Sequence, residues 1–546
     1  MKDLWRLLMT EQQKTPKFIF VTGGVLSGIG KGIAAASIGA ILKARGLKVN
    51  IQKCDPYLNV DSGTLNPAEH GECFVTLDGA ETDLDLGHYE RYLDQELTQK
   101  SSLMSGRVIR EVLEDERAGR YLGRTVQFVP HVTDLMKKKI REAGQGFDVH
   151  IVEVGGTVGD IEATTFLEAI REIGIENERE NTLFAHAVYI PYLDTSKEFK
   201  TKPAQNALKD LRSVGIFPEL VLARSERPAP LSAKKKLALF SGAQENAIAM
   251  LPNAESIYQV PLSLELQGIG NFISERLSLG ESKVDLSKWE DLTTKIAKSK
   301  KNTVTIGMVI KYADNEDSYY SVNESLRIAG WHSGATVKIK PINAEKIETD
   351  DNYLNDTLKD VDGVLIPGGF GSRGIEGKIK AADYAFKNNI PYLGICLGLQ
   401  VAAIAAARRV GLGSANSIEF DPETPDPVVH TMQDQKGKEG TGGTMRLGNY
   451  DCKLSKDSLA KSIYNQELIK ERHRHRYEIN SKYLEILEEV GLKLSGTNPE
   501  SNLPEILEAD PKLNHPFYIG VQYHPEFKSR PNNPHPLFLG LIQAAL

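Results

Sequence analysis

Cysteine is scarce in this chain: 546 residues hold four, Cys54, Cys73, Cys396 and Cys452. Their spacing forms neither a metal-binding pattern nor a disulfide framework, which fits a reducing, cytoplasmic setting. No apolar run approaches the ~18 residues that a membrane helix requires, so no membrane-spanning segment is expected. Positive charge is not in excess either. A net charge of −7 argues against general nucleic-acid binding, and anionic ligands would have to be met by local basic clusters. The opening stretch Met1 to Met9 is too short and too mixed for a secretory signal. Residues 1–16 read as a loose extension, or Met9 is the true start. What is present, 40% hydrophobic and 25% charged residues, is the composition of an ordinary globular protein. The length exceeds one core, and two or three domains are expected.

The chain is organised around Pro391-Tyr-Leu-Gly-Ile-Cys396-Leu397-Gly398-Leu399-Gln400. An apolar run from Ile390 to Ile395 reads as a buried parallel strand, and the segment from Gln400 to Arg409 reads as a helix. Glycines two before and two after the cysteine make the sharp strand-to-helix turn that exposes a nucleophile. The helix N-terminus beneath the sulfur favours thiolate. A small buried cysteine in an apolar strand is the plain alternative. Two other stretches favour the nucleophile. His524-Pro-Glu526 follows the strand-like Phe517 to Gln522; with two-residue periodicity, His524 and Glu526 point the same way, a base and its holder. Leu365-Ile-Pro-Gly368-Gly369-Phe-Gly371 is a strand running into a glycine turn whose free N–H groups can face a developing oxyanion.

Lys17 to Thr22 reads as a strand ending in Gly23-Gly-Val-Leu-Ser27-Gly28-Ile29-Gly30-Lys31-Gly32, with a helix from Ile33 to Ala44. Strand, glycine loop with lysine, then helix is a phosphate cradle. The strict phosphate-loop pattern fails twice, at Val25 and at Gly32, where a magnesium-binding hydroxyl would stand. A plain turn and a divergent phosphate loop both remain readings. A second strand (Leu47 to Gln52) leads to Lys53-Cys-Asp55. In Gly79-Ala-Glu-Thr-Asp83-Leu-Asp85 the alternation puts Asp83 and Asp85 on one side of an extended segment, as a magnesium site or as a solvated face. A third strand (Asp148 to Val154) carries Glu153 at its carboxyl end, where doubly wound sheets bind ligands. Two more strands (Ala185 to Pro191, Leu220 to Ala223) flank Lys200-Thr201-Lys202-Pro203-Ala204-Gln205.

Alternating strands and helices predict an α/β protein of two doubly wound parallel-sheet domains. The boundaries expected are 17–280, a polar linker helix within 281–302 around Trp289, and 303–546. Residues 421–443, rich in Pro, Asp, Gly and Lys, read as a mobile excursion. Arg472-His-Arg-His-Arg476 is either a solvated basic patch or a cation for a substrate carboxylate.

The Pro-Gly-Gly-Phe-Gly, Gly-Ile-Cys-Leu-Gly and His-Pro-Glu stretches resemble the class I glutamine amidotransferase domain. Across nearly the whole chain, Lys-Cys-Asp-Pro-Tyr, Glu-Thr-Asp-Leu-Asp-Leu-Gly-His-Tyr-Glu-Arg, Val-Glu-Val-Gly-Gly-Thr-Val-Gly-Asp-Ile-Glu and Lys-Thr-Lys-Pro-Ala-Gln resemble the CTP synthase family. The resemblance implies a homotetramer that turns UTP, ATP and glutamine into CTP, ADP, phosphate and glutamate, activated by GTP and inhibited by its product CTP. Carried onto this chain, it implies Cys396, His524 and Glu526 as the catalytic triad. Gly369, Leu397, Gly398, Leu399, Gln400, Glu419 and Arg476 would hold glutamine. Gly28, Ile29, Gly30, Lys31, Gly32 and Asp85 would hold ATP, and Lys53 would serve phosphate transfer. Asp85 and Glu153 would ligate Mg2+. Ser27, Asp160, Ile161, Glu162, Lys200 to Gln205 and Lys236 would hold UTP or CTP, and His70 would stand by the ammonia passage. Gly28 replaces a serine found in many members, which leaves one phosphate contact open. A two-domain amidotransferase acting on a carboxylate, and a nucleotide-sensing filament protein without turnover, are the competing readings.

Overall fold

A computed structural model describes residues 15–311, 316–432 and 444–546. The extension before Thr15 and the part of the expected excursion at 433–443 lie outside the described residues. The chain divides into two compact units. One runs to Asp61 and resumes at His88–Thr293; the other joins Ser62–Gly87 to Thr294–Leu546.

The first unit is built on seven strands: β1 (Lys17–Gly23), β2 (Val49–Asp55), β3 (Ser102–Met104), β4 (Val149–Val154), β5 (Thr182–Tyr189), β6 (Leu220–Ser225) and β7 (Ile248–Pro252). Their order is β7-β6-β5-β1-β4-β2-β3, and every pairing is parallel. Parallel strands covered on both faces read as continuous apolar runs, and Phe18 to Val21 are wholly buried. Phe18, Phe20, Val152 and Val154 belong to one cluster with the buried faces of helices Thr133–Gly144 and Thr164–Glu176. Helix α1 (Lys31–Ala44) follows β1 directly. Helix α2 (Ser287–Ser299) lies within the stretch expected as a linker, and its Trp289 packs against Tyr92 at 5.2 Å and Tyr258 at 6.2 Å.

The second sheet has nine strands: β8 (Thr303–Ile310), β9 (Thr336–Asn343), β10 (Gly363–Ile366), β11 (Tyr392–Ile395), β12 (Arg446–Leu454), β13 (Leu468–His475), β14 (Leu492–Thr497), β15 (Pro504–Ala509) and β16 (Tyr518–Val521). The order is β9-β8-β10-β11-β16-β15-β14-β12-β13. Only the half from β9 to β16 is parallel; the half from β16 to β13 is antiparallel, so this sheet is mixed. Strand pleating sends Val364 and Ile366 into one core and Leu365 into the other, each covered by helices.

Two local expectations change. Asp83 and Asp85 do not share one face of an extended segment, because the strand there is only Glu81–Thr82 and a helix opens at Asp85. Asp83 Oδ1 accepts the Leu84 N–H, and Asp83 O accepts the Leu86 N–H at 3.2 Å, a local turn that wins over extension. The segment Ser62–Gly87, read from sequence within 17–280, packs with the second unit instead. Its Glu72 carboxylate accepts the Ser321 N–H at 2.8 Å and the Ser321 hydroxyl at the start of helix α3 (Tyr320–His332). Val75 O takes Arg472 Nη1 at 3.0 Å, and Glu81 takes Arg474 Nε at 2.9 Å. Those partners lie hundreds of residues away, beyond the reach of local pattern.

Candidate active site

Three adjacent parallel strands, β10, β11 and β16, end together. Their register pairs Ile366 with Gly394 and Ile395 with Val521, so the turns that follow converge. Cys396 stands at the end of β11 and caps helix α4 (Leu397–Arg409), with φ 51° and ψ −99°. A left-handed backbone at a non-glycine residue costs about 1–3 kcal/mol and persists only where its surroundings impose it. Here the two flanking glycines impose it. A Cβ on Gly398 would lie 2.2 Å from the Ile366 carbonyl, and one on Gly394 would lie 2.6 Å from the Gly398 carbonyl carbon. The elbow closes because neither residue has a side chain.

His524 Nδ1 lies 2.7 Å from Glu526 Oε1. The pair meets as the sequence predicts, yet by a different route: β16 stops at Val521, and Pro525–Lys528 is a 3₁₀ turn capped by His524. Burial opposes charge on the imidazole, but the Glu526 carboxylate and Cys396 outweigh it and raise His524 to about 10. The ring is stacked on Phe527 at 5.2 Å, and Phe527 in turn meets Phe74 at 4.9 Å. Gly368 wedges against the dyad: a Cβ there would sit 2.8 Å from His524 Cε1 and 3.7 Å from Cys396 Cβ.

A cavity of about 270 Å³ opens on this group. Gly369, Cys396 and His524 line one part of it, and Pro67, Glu72 and Cys73 from the 62–87 segment line another. Glu419, expected beside glutamine, accepts the Gly371 N–H at 2.8 Å; burial raises its carboxyl and Lys311 opposes that. Arg476 is buried and donates to Thr444 Oγ1 at 2.9 Å. Gln400 is buried and donates to the Tyr477 carbonyl. Leu397 and Leu399 are buried at the start of α4. The Arg472–Arg476 stretch is not a solvated patch. Arg472 and His473 are fully buried and His475 nearly so, with each arginine committed to a partner. Sequence reasoning missed Arg474, Gln522 and the 62–87 wall. Arg474 was visible in the basic run and Gln522 in its place two before His524. The wall carried no local signal.

In the first unit the strand ends again gather charged groups. The loop after β1 has Val25 at φ 81°, a conformation that the glycine of the strict pattern would supply without strain. Lys31 is buried across Gly23 and donates to the Gly156 carbonyl at 2.6 Å. Gly30 at φ 89° precedes α1. Gly28 at φ 71° leaves open space about its α-carbon, and Ile29 and Gly32 are buried. Lys53 on β2 faces Glu153 on β4 at 3.0 Å and Asp55 at 4.0 Å, and Tyr89 bonds the other oxygen of Glu153. Among the described residues no group of three or more His, Cys, Asp or Glu forms a ready-made metal cage. Carboxylates at strand ends suit Mg2+, which takes one or two such ligands and completes its shell with water and phosphate.

Most of the remaining candidates lie at or near the surface. Ser27, Asp160, Ile161 and Glu162 are exposed, and Asp160 Oδ2 accepts the Thr157 N–H at 2.8 Å. Lys200 pairs with Glu198, whose carboxyl it lowers, with Lys236 adding to the effect. Thr201 caps helix α5 (Lys202–Ser213) at its N-terminal side, Pro203 stands in the first turn, and Gln205 Nε2 reaches back to Thr201 Oγ1 at 2.9 Å. Ala204 is buried. No ion pair among the described residues ties Asp160 or Glu162 to Lys200, Lys202 or Lys236. His70 ends a short helix, Pro67–His70, and is exposed.

A family model described as CTP synthase N-terminus matches residues 17–279, and one described as class-I glutamine amidotransferase matches residues 315–544. A CTP synthase of Caldanaerobacter subterraneus is 50% identical over 533 residues, 97% of this chain and 98% of its own length. This chain belongs to the CTP synthase family. The CTP synthase of Clostridium perfringens is likewise 50% identical over 536 residues, 98% of this chain and 99% of its own. Among solved structures, a Trypanosoma brucei CTP synthase glutaminase domain with bound acivicin is 38% identical, with a TM-score of 0.42. It covers 44% of this chain and 93% of that one.

Proposed function

We propose that this chain aminates UTP to CTP at the expense of ATP, with ammonia cut from glutamine at Cys396. The family membership supports the reaction, and one observation carries the site: Cys396, His524 and Glu526 converge on one cavity at three neighbouring strand ends. The Cys396 thiolate attacks the side-chain amide carbon of glutamine. Ammonia leaves with a proton from the His524 imidazolium, and water, deprotonated by His524, then splits the thioester to glutamate. The N–H of Gly369 faces the oxyanion, and Leu397 borders the bound glutamine. Gln400, Glu419 and Arg476, with Gly398 and Leu399 shaping the elbow, hold the substrate's polar ends. His70 stands by the passage of ammonia.

In the other reaction the γ-phosphoryl group of ATP passes to O4 of UTP, because a bare carbonyl oxygen is a poor leaving group. Ammonia adds at C4 and phosphate departs. Lys31 and the loop Gly28, Ile29, Gly30 and Gly32 hold the ATP phosphates, and Lys53 neutralises charge in the transfer. Glu153 and Asp85 would hold Mg2+, which spreads the negative charge of the phosphates. Ser27, Asp160 to Glu162, Lys200 to Gln205 and Lys236 hold UTP, and CTP inhibits by occupying the same place. GTP activation, a homotetramer and a cytoplasmic setting complete the reading. Mixing the protein with ATP, UTP, glutamine, Mg2+ and GTP and following CTP absorbance tests it. CTP formation is expected; ATP turnover with no CTP would overturn it.

A further inference from the structure

Gln522 touches the sulfur of Cys396. It is fully buried, and its Nε2 lies 3.5 Å from Sγ. The nitrogen and oxygen ends of an amide are told apart by their partners, and here the partners leave one choice. The Tyr477 carbonyl can only accept. It takes His475 Nδ1 at 3.0 Å and the amide of Gln400 at 3.0 Å. Gln400 must therefore turn its NH2 end toward Tyr477. The second hydrogen of that group meets Gln522 Oε1 at 3.3 Å. With its oxygen engaged, Gln522 presents its own NH2 to the sulfur.

The relay is rooted in rigid elements. Gln400 sits on α4 one turn past Cys396, with its N–H on the Cys396 carbonyl at 3.3 Å. His475 is held from behind by His473 Nδ1 at 3.0 Å. Gln400, His473 and His475 are all buried. A donor fixed in a dry site favours an anion over its neutral form. The thiol has a different partner, the Arg474 carbonyl at 3.8 Å from Sγ.

We propose that Gln522 is a further catalytic residue of glutamine hydrolysis, an N–H donor to the Cys396 thiolate whose orientation is set by the Gln400–Tyr477 relay. This rests on the reading of Cys396 as nucleophile. Gln522→Glu keeps the shape and puts an acceptor at the sulfur; Gln522→Met removes the donor. In the full chain with ATP, UTP and GTP, both variants should lose about tenfold or more in glutaminase kcat, the glutamate variant most. CTP synthesis from added ammonia should stay within about twofold, and the pH profile of Cys396 alkylation by iodoacetamide should move to higher pH. A residue that only supports the fold would lower ammonia-driven synthesis too and leave that profile in place. That result, or wild-type glutaminase activity in Gln522→Glu, overturns the proposal. Cys396→Ala, assayed alongside, separates the failures: if it still hydrolyses glutamine the nucleophile is misassigned, and if it is inactive while Gln522→Glu is normal, only Gln522 is.

Discussion

At the scale of single residues the elbow is held by what is missing. A methyl group on Gly398 would meet backbone, which cannot rotate away. Gly398→Ala should therefore lower the thermal midpoint sharply, by an amount equivalent to about 1–3 kcal/mol or more, and abolish glutaminase activity. Gly413→Ala, which meets nothing within 4 Å, should do neither. A scan of the two variants by calorimetry settles the matter. His524 supplies a second test. Its folded-state value is raised to about 10 from an ordinary 6.5, so the folded chain holds the proton more tightly than the unfolded one. The stabilisation is full below pH about 6.5 and is lost as pH rises through about 10. Denaturant midpoints should fall over that window, and the fall should be smaller in His524→Gln. An identical pH dependence in both chains would contradict the assignment.

At the scale of elements, the 62–87 segment is bound to the second unit by a few buried polar contacts. Glu72→Ala leaves the first turn of α3 without its acceptor and should cost about 1–3 kcal/mol, visible as faster hydrogen exchange at Ser321 and in residues 72–82. Unchanged exchange would mean that the aromatic contacts alone hold the segment. Farther along the sheet, burial raises the Glu505 carboxyl on β15 to about 7, against the pull of Arg446 at 2.8 Å. That group favours its neutral form when folded, so stability should decline as pH climbs from about 4.5 to about 7; Glu505→Gln should flatten that slope. The parallel strands, the cysteine elbow and the glycine loop were legible because strand-to-helix punctuation is local. The helix at Asp85 was not, since alternating acids mimic a strand while one side chain caps a turn. The buried arginines of β13 were open to two readings, a solvated patch or a carboxylate clamp, for a related reason. Charge density reads as surface until its distant partners, Val75 O and Glu81, are known.

At the scale of the whole molecule, each sheet gathers charged or reactive side chains at its own strand ends, Lys53 and Glu153 in the first and Cys396 in the second. Lys31 closes on Gly156 in the first. Lys31→Ala should therefore lose CTP formation from glutamine and from ammonia alike, by several orders of magnitude, while glutamine hydrolysis persists. Near-normal synthesis from ammonia would remove Lys31 from the phosphate site. The central claim, that ammonia is made at Cys396 and consumed elsewhere, has a more direct test in Cys396→Ala. With ATP, UTP and Mg2+ present, CTP formation is measured once with glutamine and once with ammonium chloride. The account predicts no CTP from glutamine and a near wild-type rate from ammonia; equal loss of both rates in a folded variant would contradict it.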